Sequence, residues 1–343
     1  MALKRPKGPA GTFLVLEHDS KILRGNPLGD PHVRKLGVWL PPQYDHSGRQ
    51  RFPVLYDFVG YTGSGLAHAN WKPFGENVPE RAARLIHEKK MGPAIIVFPD
   101  CFTALGGNQY VNSSAIGNYA DYLTREIVPF VDREFRTLAS REHRGCFGKS
   151  SGGYGAIIHG MKYPKTWGAI ADHSGDAYFE FVYWHDWPNT LNELAKYKGR
   201  GDRIRRFLKA VWKKEKLSGK EVHCLMNLCM AATYDPDPRA PNGFRIPFHP
   251  DTGEAIPERW RAWRRHDPIN LVFKYKKNLK SLREIYIDCG SRDQYHIHYG
   301  SRILSARLAA AGIRHRYEEF DDDHSDIDYR MDVSLPFLYR ALR

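Results

Sequence analysis

The 343-residue sequence predicts an α/β fold in which a mostly parallel central sheet is flanked by helices and carries a helical insertion. Three observations predict this fold. Strand-like apolar segments alternate with helix-like amphipathic segments, which is the pattern of a parallel sheet covered on both faces. The alternation breaks between residues 177 and 282, where the sequence favours helices. The chain is also long enough to bury a large core without a metal or disulfide framework.

The predicted elements follow one another in chain order, and their periodicity separates strands from helices. Runs of β-branched and aromatic residues predict strands at 12–18, 33–41, 53–60, 93–100, 144–147, 168–174, 283–290 and 314–320. Apolar residues at helical spacing predict helices near 79–90, at 119–135, after residue 150 through Met161, at 300–311 and from about residue 328. We therefore expect a core of residues 1–176 and 283–343. Residues 177–282 should form a basic, helical cap or lid over the carboxyl edge of the sheet.

Composition excludes several classes of protein. The sequence is 42% apolar and 27% charged, which is typical of a globular chain and not of a disordered or fibrous one. Its apolar runs are shorter than the ~18 residues needed to cross a bilayer, and the first residues lack the apolar core of a signal peptide. The five cysteines include no C-x-x-C pair, so we expect buried, reduced thiols and a cytoplasmic location.

The net charge of +13 is concentrated in the predicted insertion. Residues 196–220 hold 11 basic and 2 acidic side chains, and residues 259–283 hold 9 basic and 1 acidic. Two interpretations stay open: a solvated helix surface, or a surface that attracts anionic substrates or, nonspecifically, nucleic acid. The sequence has no zinc finger, RNP signature or basic heptad region, so no specific nucleic-acid partner is expected.

The strongest catalytic signal is the sequence GKSSG at 148–152, between a short apolar strand and a helix-forming segment. This is G-x-S-x-G in a strand–turn–helix setting, where a strained turn exposes the nucleophile Ser150. Glycines suit a tightly packed turn, and the N-terminus of the following helix favours a developing negative charge. A plain glycine turn is the alternative interpretation. A phosphate-binding loop would require glycine where the chain has His143.

A nucleophilic serine needs an orienting acid and a histidine base, and in this fold class the order along the chain is serine, acid, histidine. Asp293 lies in the loop after a predicted strand. Its rival Asp288 lies within that strand, where we expect the side chain to point into the packing of the sheet. His324 follows the last strand and is the predicted base. The catalytic candidates are therefore Ser150, Asp293 and His324.

The chain resembles the putative-esterase branch of the α/β-hydrolases, which includes esterase D-like enzymes, feruloyl esterases and enterochelin-esterase-like proteins. The segments that carry the resemblance are VWLPPQYD, RFPVLYDFVG, GKSSGGYGA, IDCGSRDQY and DDDHSDIDY. They span residues from about 33 to 342, except for the insertion. The resemblance implies the α/β-hydrolase fold, with Ser150 as nucleophile, Asp293 as acid and His324 as base.

The resemblance also implies an oxyanion hole formed by two backbone N–H groups. One belongs to Ser151, directly after the nucleophile. The other belongs to Tyr61, although relatives carry His-Gly where this chain has Val59-Gly60. Because the donor is a main-chain group, the loss of the histidine need not remove it. Relatives often have an aromatic residue two positions after the base, and this chain has Asp326 there.

Several further residues are candidates for contact with a substrate. Gly60 belongs to the predicted oxyanion loop, and residues 98–119 follow a strand in a position to line a pocket. Asp176 is either a substrate contact or a helix cap. Trp184 is a candidate contact in the insertion, although the insertion's tryptophans are expected to form mainly its core. The acidic run 321–323 predicts solvated side chains and no metal site.

The sequence thus predicts a serine carboxylic-ester hydrolase that forms an acyl-enzyme and needs no cofactor. The expected partner is a small ester, aromatic or anionic, of aryl, feruloyl-type or short-acyl character, and no membrane span is expected. The same residues also suit an acyltransferase or an enterochelin-type siderophore-lactone esterase. An S-formylglutathione hydrolase is disfavoured because the characteristic oxyanion segment of those enzymes is not seen. The non-enzymatic alternative is a polyanion-binding module on a hydrolase-like fold.

Overall fold

The computed structural model describes residues 8–46, 48–197, 199 and 202–343. Residues 1–7 and 47 of the predicted core lie outside the described residues. The same holds for residues 198, 200 and 201 of the predicted insertion, two of which contribute to its basic charge.

The strands occur in the predicted order, and the bounds of the predicted ones agree within two residues. They are β1 (Thr12–Asp19), β2 (Val33–Leu40), β3 (Val54–Phe58), β4 (Ile95–Pro99), β5 (Asn112–Ser113), β6 (Gly117–Asn118), β7 (Arg144–Lys149), β8 (Ala169–His173), β9 (Glu284–Gly290) and β10 (Arg316–Phe320). The short strands β5 and β6, which pair with each other, were not predicted.

The helices also follow the predicted alternation with strands. They are α1 (Val78–His87), α2 (Tyr119–Asp121), α3 (Val128–Glu134), α4 (Ser151–Lys162), α5 (Phe179–Val182), α6 (Trp187–Ala195), α7 (Arg203–Val211), α8 (Gly219–Tyr234), α9 (Pro257–Arg264), α10 (Pro268–Leu271), α11 (Lys276–Lys280), α12 (Ile297–Ala310) and α13 (Met331–Leu342). Short 3₁₀ turns occupy Gly65–Ala69, Arg141–His143, Trp184–Asp186 and Ile327–Arg330, and a π-helical segment occupies Tyr122–Ile127.

Within the described part of the chain, eight strands form one sheet in the order β1-β2-β4-β3-β7-β8-β9-β10. β2 pairs antiparallel with β1 and with β4, and the remaining neighbours pair parallel. The prediction of a mostly parallel sheet flanked by helices is therefore confirmed.

The two faces of the sheet have separate cores because successive side chains of a strand point to opposite faces. In β3, Val54 and Tyr56 belong to one buried cluster and Leu55 to the other. The first cluster continues into α4 and the insertion, through residues such as Ile157, Trp187, Leu228 and Trp263. The second cluster lies under α1 and α13, with residues such as Ala82, Leu85, Leu335 and Leu338. The insertion therefore shares one core with a face of the sheet.

The predicted single helix at 119–135 is broken in the middle. Its central segment, Tyr122–Ile127, is π-helical, and the Val128 N–H donates to the carbonyl of Leu123, five residues earlier. Pro129 explains the change, since proline has no N–H to donate to the carbonyl four residues before it. The wider π-helical turn lets the helix continue through this position.

The insertion consists mainly of helices, as predicted. Its longest helix, α8, begins with a capping box in which Ser218 and Glu221 exchange side-chain and backbone hydrogen bonds. Hydrogen bonds between described residues join the insertion to the predicted pocket segment 98–119, and two of them run from a side-chain oxygen or nitrogen atom to a backbone carbonyl oxygen. Ser113 Oγ donates to the Ala232 carbonyl (2.5 Å), and Trp212 Nε1 donates to the Ala104 carbonyl (2.7 Å).

The carboxyl ends of the parallel strands lie at one edge of the sheet, and the loops after β3, β7, β8, β9 and β10 therefore gather there. These are the loops that carry the predicted site residues. All five cysteines are buried and unpaired, as expected. Among the described residues, no helix combines the length and the apolar character that crossing a membrane would require.

Candidate active site

Ser150 occupies a sharp turn between β7 and α4. Its backbone angles, φ 59° and ψ −125°, lie outside the helix and strand regions, and such a conformation costs a non-glycine residue about 1–3 kcal/mol. Two backbone hydrogen bonds of 2.9 Å hold the turn. The Ser150 N–H donates to the carbonyl of His173, and the Tyr154 N–H donates to the carbonyl of Ser150. The strained strand–turn–helix predicted from the sequence is therefore present.

Two glycines of this turn are required by its close approach to β3. A Cβ atom at Gly148 would lie 2.2 Å from the carbonyl oxygen of Phe58, and a Cβ atom at Gly152 would lie 1.8 Å from the same oxygen. Both distances are far below van der Waals contact. The approach also brings the loop after β3 next to the serine, since a Cβ atom at Gly60 would lie 3.5 Å from the Cβ of Ser150.

Asp293 and His324 form a buried pair in the loops after β9 and β10. His324 Nδ1 lies 2.7 Å from Asp293 Oδ2, and the side chains are only 0% and 9% exposed. The other carboxylate oxygen of Asp293 accepts the Tyr295 N–H (2.9 Å). Burial by itself would raise the pKa of Asp293, but the hydrogen bond and charge of His324 bring it below its ordinary value. The geometry thus suits an ionised Asp293 that orients the His324 ring.

Asp288 lies away from this pair, as the sequence predicted. Its Oδ1 lies 2.6 Å from His173 Nδ1, and its Oδ2 accepts hydrogen bonds from Arg330 Nε (2.8 Å) and the Tyr286 hydroxyl (2.9 Å). His173 Nε2 in turn lies 2.8 Å from the hydroxyl of Ser334 on α13. Asp288 is therefore fully engaged in a buried network that joins β8, β9 and α13.

A cavity of about 320 Å³ at the carboxyl edge brings most of the predicted site residues together. Its volume lies within the range of small-molecule sites, about 300–1,000 Å³. The predicted residues that line it are Gly60, Tyr61, Ser150, Ser151, Asp176 and His324. Asp293 lies behind His324 and reaches the cavity only through the histidine ring.

Tyr61 and Ser151 are the residues of the expected oxyanion hole, and both line the same cavity as Ser150. Ser151 is the first residue of α4, and the N–H groups of a first helical turn have no partner within the helix. Tyr61 is fixed in place by its hydroxyl, which donates to the Leu105 carbonyl (2.6 Å). Its backbone also packs tightly on Gly107, where a Cβ atom would lie 2.2 Å from the Tyr61 carbonyl oxygen.

Asp176 lies on the cavity wall and does not cap a helix. It accepts hydrogen bonds from the Tyr183 hydroxyl (2.7 Å) and from Gln109 Nε2 (3.2 Å), and Gln109 also donates to Ser151 Oγ (2.8 Å). The capping alternative is wrong because Asp267 accepts the N–H groups at the start of α5 instead. Burial raises the pKa of Asp176. Gln109 belongs to the segment 98–119 that the sequence placed near the pocket, although it was not singled out.

The insertion supplies part of the cavity wall, but not through Trp184. Five residues of the insertion line the cavity: Val182, Tyr183, Val222, His223 and Met226. Trp184 is not among the lining residues, which corrects its prediction as a substrate contact. Its ring packs edge-on against Phe248 (5.0 Å between centroids) and Trp260 (4.8 Å). Trp184 thus belongs to the aromatic packing of the insertion, at its surface.

An aromatic ring also borders His324, although the chain has no aromatic residue two positions after this histidine. Tyr295 packs edge-on against His324, with 4.8 Å between ring centroids, and is itself stacked on His223 at 6.1 Å. Asp326, the residue two positions after His324, lies at the exposed edge of the cavity. The aromatic contact therefore comes from a different loop.

The sequence analysis missed a second group of charged residues in the same cavity. His68, Lys72, Lys149 and Asp328 all line it. His68 Nδ1 lies 2.8 Å from Oδ2 of Asp57, a buried residue of β3, and Lys72 forms an ion pair with Asp328. Burial lowers the pKa of the His68 ring, but the charge of Asp57 outweighs it and the pKa lies above its ordinary value. The sequence feature that could have indicated this group is Asp57 itself, an acidic residue inside an otherwise apolar strand.

The acidic run 321–323 is engaged in the local structure of its loop. Asp321 forms an ion pair with Arg292 (3.0 Å), Asp322 accepts the Tyr329 hydroxyl (2.9 Å), and Asp323 accepts the Ser325 N–H (2.6 Å). Across the part of the chain that the structure describes, no group of three or more His, Cys, Asp or Glu side chains is arranged to hold a metal ion.

Comparisons of the sequence give the following similarities. A family model described as putative esterase matches residues 31–334. An esterase of Mycobacterium tuberculosis, in strains H37Rv and CDC 1551, is 33% identical over 172 residues, which cover 47% of this chain. The aligned region spans 34% of the length of these curated relatives.

Comparisons of the structure give similarities over nearly the whole chain. A ferulic acid esterase superposes with a TM-score of 0.62 at 17% identity, covering 97% of this chain and 99% of that one. An S-formylglutathione hydrolase from Agrobacterium tumefaciens gives 0.59 at 18% identity, covering 99% of each chain. A fluorophosphonate-binding serine hydrolase of Staphylococcus aureus gives 0.58 at 14%, covering 96% and 98%. At these identities the likeness concerns the fold, and it confirms the predicted α/β-hydrolase fold.

Proposed function

The chain belongs to the putative esterase family, and on that basis we propose that it is a serine carboxylic-ester hydrolase with Ser150, His324 and Asp293 as nucleophile, base and acid. The observation that carries the proposal is a single cavity that contains a strained serine and a histidine whose Nδ1 is held by a buried carboxylate. Nucleophile, base and orienting acid are the three groups that acyl transfer through a serine requires.

In the first half of the reaction, Ser150 Oγ attacks the carbonyl carbon of the ester while His324 Nε2 accepts the Oγ proton. Asp293 keeps the other ring proton on Nδ1 and stabilises the imidazolium. The oxyanion that forms is bound by the backbone N–H groups of Tyr61 and Ser151. Removing one donor of this kind typically costs about 3–4 kcal/mol of transition-state stabilisation.

In the second half, the imidazolium of His324 gives its proton to the leaving alcohol, and the acyl group stays on Ser150. A water molecule then enters, and His324 accepts its proton as the oxygen attacks the acyl carbon. The same oxyanion donors act again. Collapse of the intermediate returns the proton to Ser150 Oγ and releases the carboxylic acid.

We propose aryl, feruloyl-type or short-acyl esters as substrates. The cavity is small and combines the apolar side chains Val182, Val222 and Met226 with the aromatic side chains Tyr183 and Tyr295. Such a wall suits a planar ring or a short chain, which gains affinity from burial without needing many polar contacts. Because four of these five side chains belong to the insertion, two of them on α8, we assign the insertion the role of a cap.

A substitution series on an ester panel tests this function. The wild type should hydrolyse 4-nitrophenyl acetate, 4-nitrophenyl butyrate or methyl ferulate, and Ser150→Ala should lower kcat by roughly 10³-fold or more with an unchanged circular dichroism spectrum. The matched control is Ser281→Ala, an exposed serine at the end of α11 that does not line the cavity. Full turnover by Ser150→Ala, or a folded wild type inactive on every ester, would contradict the proposal.

A further inference from the structure

Lys149 places a positive charge in the catalytic cavity without a paired carboxylate. It is the last residue of β7, directly before Ser150, and its side chain lines the cavity. The residue is only partly exposed. Among the described residues, no carboxylate oxygen lies within 4.0 Å of its ammonium group.

The other basic side chains that line the cavity have carboxylate partners. His68 is paired with Asp57 at 2.8 Å, and Lys72 is paired with Asp328. His324 is paired with Asp293, and His223 Nδ1 lies 3.2 Å from Oδ2 of Asp186. Each of these basic groups thus has a carboxylate partner, and among the described residues that line the cavity the ammonium of Lys149 is the exception.

The acidic groups of the cavity compensate Lys149 only in part. Asp176 is held by neutral donors, Tyr183 and Gln109, on the side of the insertion. Asp326 lies at the exposed edge, where water and salt screen its charge. Removing an ammonium from water without a close counter-ion is unfavourable. In agreement, burial lowers the pKa of Lys149, and the charges of Asp328 and Asp326 only partly oppose this.

The position of Lys149 relative to the ester follows from the role of His324. His324 must reach the leaving oxygen, so the alcohol part of the ester lies along the loop that follows His324. Asp326 and Asp328 belong to that loop, and their charges act on Lys149 together with those of Lys72 and Asp293. The apolar residues Val182, Val222 and Met226 of the insertion also line the cavity. We therefore place Lys149 beside the alcohol part of the ester, and the acyl part against these apolar residues.

We propose that Lys149 binds a carboxylate on the leaving group. The substrates would then be esters in which a hydroxy acid supplies the alcohol part through its hydroxyl group. The inference rests on the proposed function, because it uses His324 as the group that protonates the leaving alcohol. A carboxylate on the alcohol would supply the close counter-ion that none of the described residues provides. It would also hold the ester in a fixed direction across Ser150, which orients the reacting carbonyl.

The basic segments of the insertion do not take this role. None of the described residues in 196–220 or 259–283 lines the cavity. Several of their arginines are already paired, such as Arg203 with Asp251 (2.8 Å) and Arg264 with Glu180 (3.1 Å). Selectivity for an anionic ester should therefore depend on Lys149 and not on the net charge of the insertion.

Two isosteric esters test the inference during turnover. The anionic substrate is 3-acetoxybenzoate, and the neutral one is 3-acetoxybenzamide, which has the same single ester bond. The ratio of their kcat/KM values should fall about tenfold or more in Lys149→Met and recover in part in Lys149→Arg. The matched control is Lys209→Met, which removes one exposed charge from α7 outside the cavity and should leave the ratio unchanged. An unchanged ratio in Lys149→Met would overturn the inference.

A binding measurement separates this inference from the proposed function. In a Ser150→Ala background, calorimetry gives the Kd of 3-hydroxybenzoate and of the neutral 3-hydroxybenzamide without any turnover. Adding Lys149→Met should weaken binding of the carboxylate about tenfold and that of the amide much less. If esters are hydrolysed through Ser150 but both affinities change equally, Lys149 is not the anion-binding group. If the carboxylate depends on Lys149 but no ester is hydrolysed, the anion site stands and the hydrolase proposal fails.

Discussion

Asp288 Oδ1 lies 2.6 Å from His173 Nδ1, a contact as short as the 2.7 Å between Asp293 and His324. With Ser334 Oγ 2.8 Å from the other ring nitrogen of His173, the protein contains a second arrangement of serine, histidine and aspartate. All three of its side chains are buried, and none lines the cavity of Ser150. Access to a substrate, more than hydrogen-bond geometry, distinguishes the catalytic candidate from this network.

The two aspartates should therefore respond differently to the same substitution. Asp293→Asn should lower kcat by roughly 10⁴-fold, because the amide cannot hold the His324 ring in the required tautomer. Asp288→Asn should instead lower the free energy of unfolding by about 3–5 kcal/mol, since Arg330 and His173 lose a buried anionic partner. Urea denaturation and ester kinetics measure the two effects. A kinetic loss confined to Asp288→Asn would reverse the assignment.

The turn that carries Ser150 should not tolerate a side chain at Gly152. A Cβ atom there would lie 1.8 Å from the Phe58 carbonyl, so Gly152→Ala must displace either β3 or the turn that holds Ser150. We expect a loss of kcat of at least about 10²-fold, the size of effect that a 1 Å misplacement produces. The matched control is Gly219→Ala in α8, where a Cβ atom would meet no neighbour within 4 Å. Wild-type kcat in Gly152→Ala would show that the close approach is not required.

The stability of the protein should depend on pH through Asp172, which lies on β8. Burial raises the pKa of its carboxyl group to about 7, whereas the unfolded chain has the ordinary value near 4. Between these values the folded state holds a proton that the unfolded state has lost, so stability falls as pH rises. Asp172→Asn removes this titration and keeps an oxygen acceptor.

Urea unfolding of wild type and Asp172→Asn at pH 5, 6, 7 and 8 measures that contribution. The free energy of unfolding of the variant, minus that of wild type, should increase by about 1 kcal/mol per pH unit up to pH 7 and then level off. Other titrating groups, including Asp267, cancel in the difference. A difference that does not change with pH would show that Asp172 is ionised in the folded protein.

Much of the fold could be predicted because buried strands have a distinct sequence pattern. The strand bounds agreed within one residue for β8 and β9 and within two for β7, and all three are buried strands of the sheet. The same reasoning placed Ser150, Asp293 and His324, since each follows the carboxyl end of a strand and those ends meet at one edge. Topology alone thus brought together residues separated by up to 174 positions.

The features of the site that could not be predicted from the sequence depend on side-chain packing. Nothing in the periodicity of the insertion shows that Trp184 packs on Phe248 and Trp260 and not on the cavity. The pairing of Asp57 with His68 joins a strand to a 3₁₀ turn 11 positions later, and no local pattern specifies it. In the sequence, Lys149 occupies only a variable position of the G-x-S-x-G motif. The structure was needed to show that no carboxylate of a described residue is paired with it.

Covalent labelling with a fluorophosphonate, followed by mass spectrometry of the digested protein, tests the central claim most directly. A nucleophile activated by His324 should be modified at one site, on Ser150, and the label should disappear in Ser150→Ala and form much more slowly in His324→Ala. The buried hydroxyl of Ser334 should stay unmodified in the folded protein. A label on Ser151 or Ser334, or no label on a folded protein, would contradict the assignment of Ser150 as the nucleophile.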